Sequence, residues 1–151
     1  SLDELAQRLQ PLAPGSAAPC FDLAVLARMP EALRPHQELF ARTGAVHAAA
    51  AFEPDGRVTV VREDVGRHNA VDKVVGRYLL DGRPARHGHG LAVSGRVSFE
   101  IVQKAWAGGF SALVAVSAPT SLAVAAAQRA GMTLAGFARE GNLNLYAGPQ
   151  L

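Results

Sequence analysis

Between Thr43 and Tyr146 the apolar residues switch repeatedly from a period of two to a period of about 3.6. A chain patterned this way must layer helices on a sheet, because neither element buries its apolar face alone. Alternating segments at 47–52 and 57–61 flank Pro54-Asp55-Gly56, a hairpin signal. A helix is predicted over about 69–80, closed by Asp81-Gly82. Then come a strand at 91–93, a helix over 97–107, a strand at 112–116 and a helix over 121–130. The last strands are predicted at 132–137 and 143–146, with Gly141-Asn142 between them. A hairpin followed by strand-helix units predicts an α/β fold, a mixed sheet with helices on both faces. There is no internal repeat. At 151 residues the chain is long enough for one real core, and 49% hydrophobic against 6% aromatic content assigns that core to small aliphatics.

The first 41 residues read differently. Leu2, Leu5 and Leu9 form a short helical stripe stopped by Pro11 and Pro14, and residues 21–40 carry helical spacing broken around Pro30 and Pro35. Residues 1–41 are therefore expected to be a helical lead-in, an appendage to a domain over 42–151. No apolar stretch reaches the roughly 20 residues of a membrane span, and the early acidic pair Asp3-Glu4 is unlike a signal peptide. No membrane role is expected, and the expected location is the cytoplasm. A formal charge of +2 with dispersed bases predicts no nucleic-acid groove. Cys20 is the only cysteine, which excludes an internal disulfide and a thiolate-rich zinc site, and no role is assigned to it.

The most chemically loaded run is R-E-D-V-G-R-H-N-A-V-D-K, from Arg62 to Lys73. Val58, Val60 and Val61 precede it at strand spacing, and Val71, Val74, Val75 and Tyr78 follow at helical spacing, so it is a strand-to-helix corner. Gly66 is expected to supply permissive backbone there, and the first helical amides present a partly positive surface. Arg62, Arg67, His68 and Lys73 surround that surface with donors suited to a phosphate. The competing reading is that Glu63, Asp64 and Asp72 pair with these bases and merely lock the turn.

In open α/β sheets ligands bind where strands end and helices begin. After the strand at 91–93 come Ser94, Gly95, Arg96, Val97 and Ser98; after that at 112–116 come Ser117, Pro119, Thr120 and Ser121. These hydroxyls serve equally as helix N-caps or as ligand contacts. The final turn, Phe137, Ala138, Arg139, Glu140, Gly141 and Asn142, offers donors at Arg139 and Asn142 and a stacking face at Phe137. A plain hairpin explains it as well locally. The coincidence of these segments with the Arg62 to Lys73 corner favours a large, polyanionic, nucleotide-like ligand.

Zinc nucleobase deaminases use a His-x-Glu pair and a Pro-Cys-x-x-Cys loop. His47 is followed by Ala49 where the glutamate would stand, and the cysteines are missing, so hydrolytic deamination and bound zinc are not expected. His87 and His89, in a Gly-rich loop, are expected to be solvent-exposed.

The segments T-G-A-V-H-A-A-A, R-E-D-V-G-R-H-N-A-V-D-K, S-G-R-V-S-F-E-I-V-Q-K-A, V-S-A-P-T-S-L-A-V and G-F-A-R-E-G-N-L-N-L-Y together resemble the FdhD family of formate dehydrogenase accessory proteins. The resemblance runs from about Phe40 to Tyr146. It implies a cytidine-deaminase-like fold without deamination, and a homodimer. It also implies a sulfurtransferase that takes sulfur from a cysteine desulfurase and delivers it to the molybdenum bis-guanine-dinucleotide cofactor, Mo-bis(molybdopterin guanine dinucleotide), destined for formate dehydrogenase. The turn Phe137 to Asn142 matches the family segment associated with that cofactor, and GDP is the expected surrogate ligand. Arg62, Arg67, His68, Ser94, Arg96, Ser117 and Thr120 fall in other matching stretches. The family's Cys-Gly-x-Cys-Gly-type motif and additional N-terminal domain are expected upstream of Ser1, so this chain is expected to bind cofactor better than it transfers sulfur. The alternative function is a cofactor-binding chaperone without sulfur transfer.

Overall fold

The computed structural model describes residues 21–81 and 88–151. The Leu2 stripe, Cys20 and His87 lie outside the described residues. Helix α1 spans Leu23–Leu33, a 3-10 turn Arg34–His36 and helix α2 Glu38–Thr43. Strands β1 (His47–Phe52) and β2 (Val58–Asp64) form the expected hairpin, and α3 (Arg67–Leu80) follows. Then β3 (Gly90–Val93), α4 (Phe99–Ala107), β4 (Ala112–Ala115) and α5 (Ser121–Ala130) alternate before β5 (Thr133–Arg139) and β6 (Asn142–Ala147).

The strands make one six-stranded sheet in the order β2-β1-β3-β4-β5-β6. β3, β4 and β5 are parallel, while β1 is antiparallel to both its neighbours and β6 is antiparallel to β5. The sheet is mixed, as predicted. Its directions bring the ends of β2, β3, β4 and β5 and the starts of β1 and β6 to one edge. Every loop singled out in the sequence for chemistry therefore emerges on that edge.

Helices α3, α4 and α5 cover one face. Ala123, Ala126, Ala127 and Ala130 of α5, with Ile101, Val102 and Ala105 of α4, pack onto Ala49, Ala51, Leu91, Leu113 and Leu134. Alanine dominates these contacts, as the composition predicted, and lets the layers approach closely. Larger side chains fill the gaps, Trp106 and Phe110 among them.

The opposite face corrects the expectation of an appendage. From Phe21 onward the lead-in is a packed layer: Phe21, Leu26, Met29 and Leu33 are buried against Ala50, Phe52, Ala92, Val114 and Ala135. Phe21 meets Phe52 edge to face at 5.6 Å between ring centroids. The expected break at Pro30 is also absent, since α1 starts on Asp22, whose carboxylate accepts the Ala24 amide at 2.9 Å, and runs through Pro30 to Leu33. Proline removes one intrahelical bond. Burial of Leu26, Met29, Pro30 and Leu33, at about 1.5–3 kcal/mol per large apolar side chain, outweighs that loss. The second break is real, because Pro35 lies in the 3-10 turn.

Two smaller expectations change. His89 is half-buried rather than exposed, with its ring edge-on to Tyr78 at 5.6 Å. The segment read as a loop from Phe137 is strand as far as Arg139, and only Glu140 and Gly141 turn. Both have positive φ, 52° and 78°, which is the two-residue hairpin turn that matches strand twist.

Candidate functional site

At the loop-bearing edge, on the α1 face, lies a cleft of about 710 Å³. Its walls include Glu31 and Arg34 from α1 and the 3-10 turn, Phe40 from α2, His47 and Ser94 from the β1 and β3 ends, Val116 after β4, and Ala138 and Arg139 from β5. The volume is in the range of pockets that hold small organic ligands.

The β5–β6 turn is shaped for display. The pairing shifts between Gly136 and Arg139, and the bulged residue Phe137 has φ of 51°, which is rare for a non-glycine residue. Its amide donates to the Ser117 carbonyl at 3.2 Å, and its ring stands 48% exposed. An exposed phenyl ring held by a strained backbone offers a stacking face. Gly136 before it is required, since a Cβ there would lie 3.0 Å from the Ser117 carbonyl oxygen and from the Pro119 and Tyr146 side chains. The turn is pinned to α1, because the Glu140 amide donates to Glu31 Oε1 at 2.9 Å. That bond does most to hold the Glu31 carboxyl below its ordinary range, with Glu31's own amide and then the Arg34 charge adding to it. Asn142 Nδ2 donates to the Glu140 carbonyl at 3.3 Å and so steadies the turn from within.

Ser94 organises the centre of the edge. Its hydroxyl accepts the Ala48 amide at 2.9 Å and lies 3.3 Å from His47 Nδ1. Gly95 lets the cleft and the Arg62 to Lys73 corner meet: a Cβ there would be 3.2 Å from His47 Nδ1 and 3.4 Å from Arg67 Cδ. Arg67 Nε is shielded from solvent and has no hydrogen-bond partner among the described residues. Arg67 and His68 lie near Glu100, whose carboxyl is held below the ordinary range chiefly by its own amide.

The corner itself is largely a locked turn. Lys73 Nζ bonds Asp64 Oδ2 at 2.8 Å and the Glu63 carbonyl at 2.9 Å, while Asp72 takes Lys104 at 2.7 Å. Asp64 Oδ1 accepts from the Gly66 amide and from Asn69 Nδ2. Lys73, that amide and the Asn69 amide group hold the Asp64 carboxyl down to about 2. The permissive backbone expected of Gly66 is not used as a positive φ. Glu63 accepts both the Leu39 and Phe40 amides, so the α2 start is already occupied by a carboxylate.

Of the sequence candidates, Ser94, Ala138 and Arg139 line the cleft, whereas Phe137, Glu140, Gly141, Asn142, Arg67, His68, Ser117, Arg62, Thr120 and Arg96 do not. Arg62 Nη1 donates to the Val61 carbonyl at 2.7 Å on edge strand β2. Thr120 caps α5 by accepting the Ala123 amide at 3.1 Å. Arg96 is exposed in a loop that is laced to the next one, where Thr120 N donates to the Val97 carbonyl at 2.9 Å and Val97 N to the Ala118 carbonyl at 3.3 Å. Among the described residues no three His, Cys, Asp or Glu side chains converge as metal ligands. Glu31, Arg34, Phe40 and Val116 were missed in the sequence. They sit in helical or plain strand patterns, and only packing aims them at the cleft.

The FdhD/NarQ family model matches residues 1–151. The chain belongs to the FdhD/NarQ family. It is 53% identical over 124 residues to the sulfur carrier protein FdhD of Streptomyces avermitilis, covering 82% of this chain and 44% of that protein. The sulfur carrier protein FdhD of Corynebacterium efficiens is 46% identical over 147 residues, with 97% and 50% covered. The chain thus spans about half the length of the curated FdhD relatives it matches. A crystal structure of a putative formate dehydrogenase accessory protein from Desulfotalea psychrophila superimposes with a TM-score of 0.82 at 32% identity, covering 97% of this chain and 61% of that one. The FdhD-like mixed sheet is therefore shared with a solved structure, and no helix among the described residues is long and apolar enough to cross a membrane.

Proposed function

We propose that this FdhD-family chain binds the guanine-nucleotide part of the molybdenum bis-guanine-dinucleotide cofactor in the cleft at the sheet edge, as part of a protein that matures formate dehydrogenase. The cofactor is cargo here. The observation that carries the reading is the convergence of Arg139 and Arg34 with the apolar walls Phe40 and Val116 around about 710 Å³. Guanidinium groups suit pyrophosphate, and an aromatic face suits a base. In the longer protein, sulfur passes from a cysteine desulfurase to the cofactor. The thiolate chemistry of that transfer is assigned to the family's upstream cysteine motif, and the cleft to holding the cofactor. The protein acts in the cytoplasm as a homodimer.

Calorimetric titration with GDP, beside ADP and inorganic phosphate, tests the reading. Saturable binding that prefers GDP is expected. Absence of GDP binding to the dimeric protein, or equal binding of GDP and phosphate, would overturn it.

A further inference from the structure

Among the described residues, Glu31 is the one acidic side chain on the cleft wall. Its two oxygens differ. Oε1 accepts the Glu140 amide at 2.9 Å, whereas Oε2 is shielded from water and has no donor among the described residues. A carboxylate oxygen in that position is costly, because it has given up hydration without gaining a partner. Its neighbours on the wall include Arg34 and Arg139, both exposed and free to change rotamer quickly. A donor that arrives with the ligand reaches Oε2 once a side chain that shields it has moved aside.

We infer that Glu31 selects the base, accepting an N–H from a purine whose pairing edge carries donors. This inference rests on the cofactor-binding reading above and names the residue that would make it specific. An ionised carboxylate only accepts hydrogen bonds. Guanine presents N1–H and a 2-amino group along one edge, whereas adenine presents a ring nitrogen acceptor there, which a carboxylate repels. Phe40, on the same cleft wall as Glu31, would cover a base face while Glu31 reads the edge. Affinity from stacking and phosphate contacts is common to all purine nucleotides; discrimination among them comes from Oε2.

Glu31→Gln separates the two jobs of the side chain, since the amide oxygen still accepts from Glu140 while its nitrogen replaces the unpaired acceptor with a donor. The wild-type protein and this variant are titrated with GDP, inosine diphosphate and ADP. Wild-type protein is expected to bind GDP tightest, inosine diphosphate less well and ADP weakest. The variant is expected to lose roughly ten- to hundredfold in GDP affinity, the worth of a charge-assisted hydrogen bond, with ADP changed by no more than about threefold. Equal GDP binding by both proteins, or equal loss of GDP and ADP, overturns the role of Glu31 and leaves cofactor binding standing. Wild-type binding of GDP and ADP with equal affinity overturns base selection without any variant. Failure of the wild-type protein to bind GDP at all overturns the cofactor reading and this inference with it.

Discussion

Glu31 on α1 and the Glu140 amide on the β5–β6 turn are joined by a 2.9 Å hydrogen bond across a sequence separation of 109 residues. The bond ties the helix that roofs one side of the cleft to the turn that forms the other. Hydrogen exchange reads it directly: the Glu140 amide is expected to be protected in wild-type protein and in Glu31→Gln, and to lose protection in Glu31→Ala. Equal exchange in all three would show that the turn holds its shape without α1.

Met29 decides whether α1 belongs to the core. It is 1% exposed and packs with Leu26 and Phe52 on the second face of the sheet. Met29→Ala is expected to destabilise the fold by about 2–5 kcal/mol, measured by urea unfolding with an unchanged slope. A loss below about 0.5 kcal/mol, the range of surface substitutions, would mean the helix is an appendage after all.

Gly90 sits under the Phe52 ring, and a Cβ added there would overlap the ring atoms. Gly90→Ala is expected to cost about 1–3 kcal/mol from overpacking at the β1–β3 pairing. Adding Phe52→Leu should recover part of that loss, because the two changes share one space and so do not add.

Arg139 and Arg67 test the ligand side. Arg139→Ala and Arg67→Ala are each expected to weaken GDP binding by about 1.5–3 kcal/mol if they reach phosphate. Thermal unfolding of Arg139→Ala should stay close to wild type, since its side chain is exposed. Unchanged affinity in both variants would remove phosphate from this edge.

Asp64 predicts an acid limb. Its folded carboxyl is held at about 2 against an ordinary 3.8, first by Lys73 and then by the Gly66 amide and Asn69. A depressed carboxylate contributes stability above its unfolded value and loses it as pH falls through the folded value. Stability from this corner should therefore be complete above pH 3.8 and fade toward pH 2. In Asp64→Asn that portion of the acid limb should be missing, and added salt should shrink the difference because the pair is exposed to solvent.

By itself the sequence determined the layering and the edge at which chemistry gathers. Period-two and period-3.6 apolar patterns are local properties, and strand direction follows from short connections, so the strands, the α3–α5 layer and the shared loop edge were readable from neighbouring residues. The charge-rich corner was legible too, with both of its readings visible; tertiary contacts gave Lys73 to Asp64 and packed both Arg67 and His47 close to Gly95. Tertiary structure alone decided what α1 does. Its helical stripe carries no mark of which sheet face it covers, and Pro30 argued locally for a break that burial overrides. It also decided the cleft: Glu31 is one acid in a helix until residues more than a hundred positions away supply one of its partners and leave the other oxygen without any. A local pattern encodes which face of an element is apolar; only the closed fold decides which polar atom is left buried and unpaired.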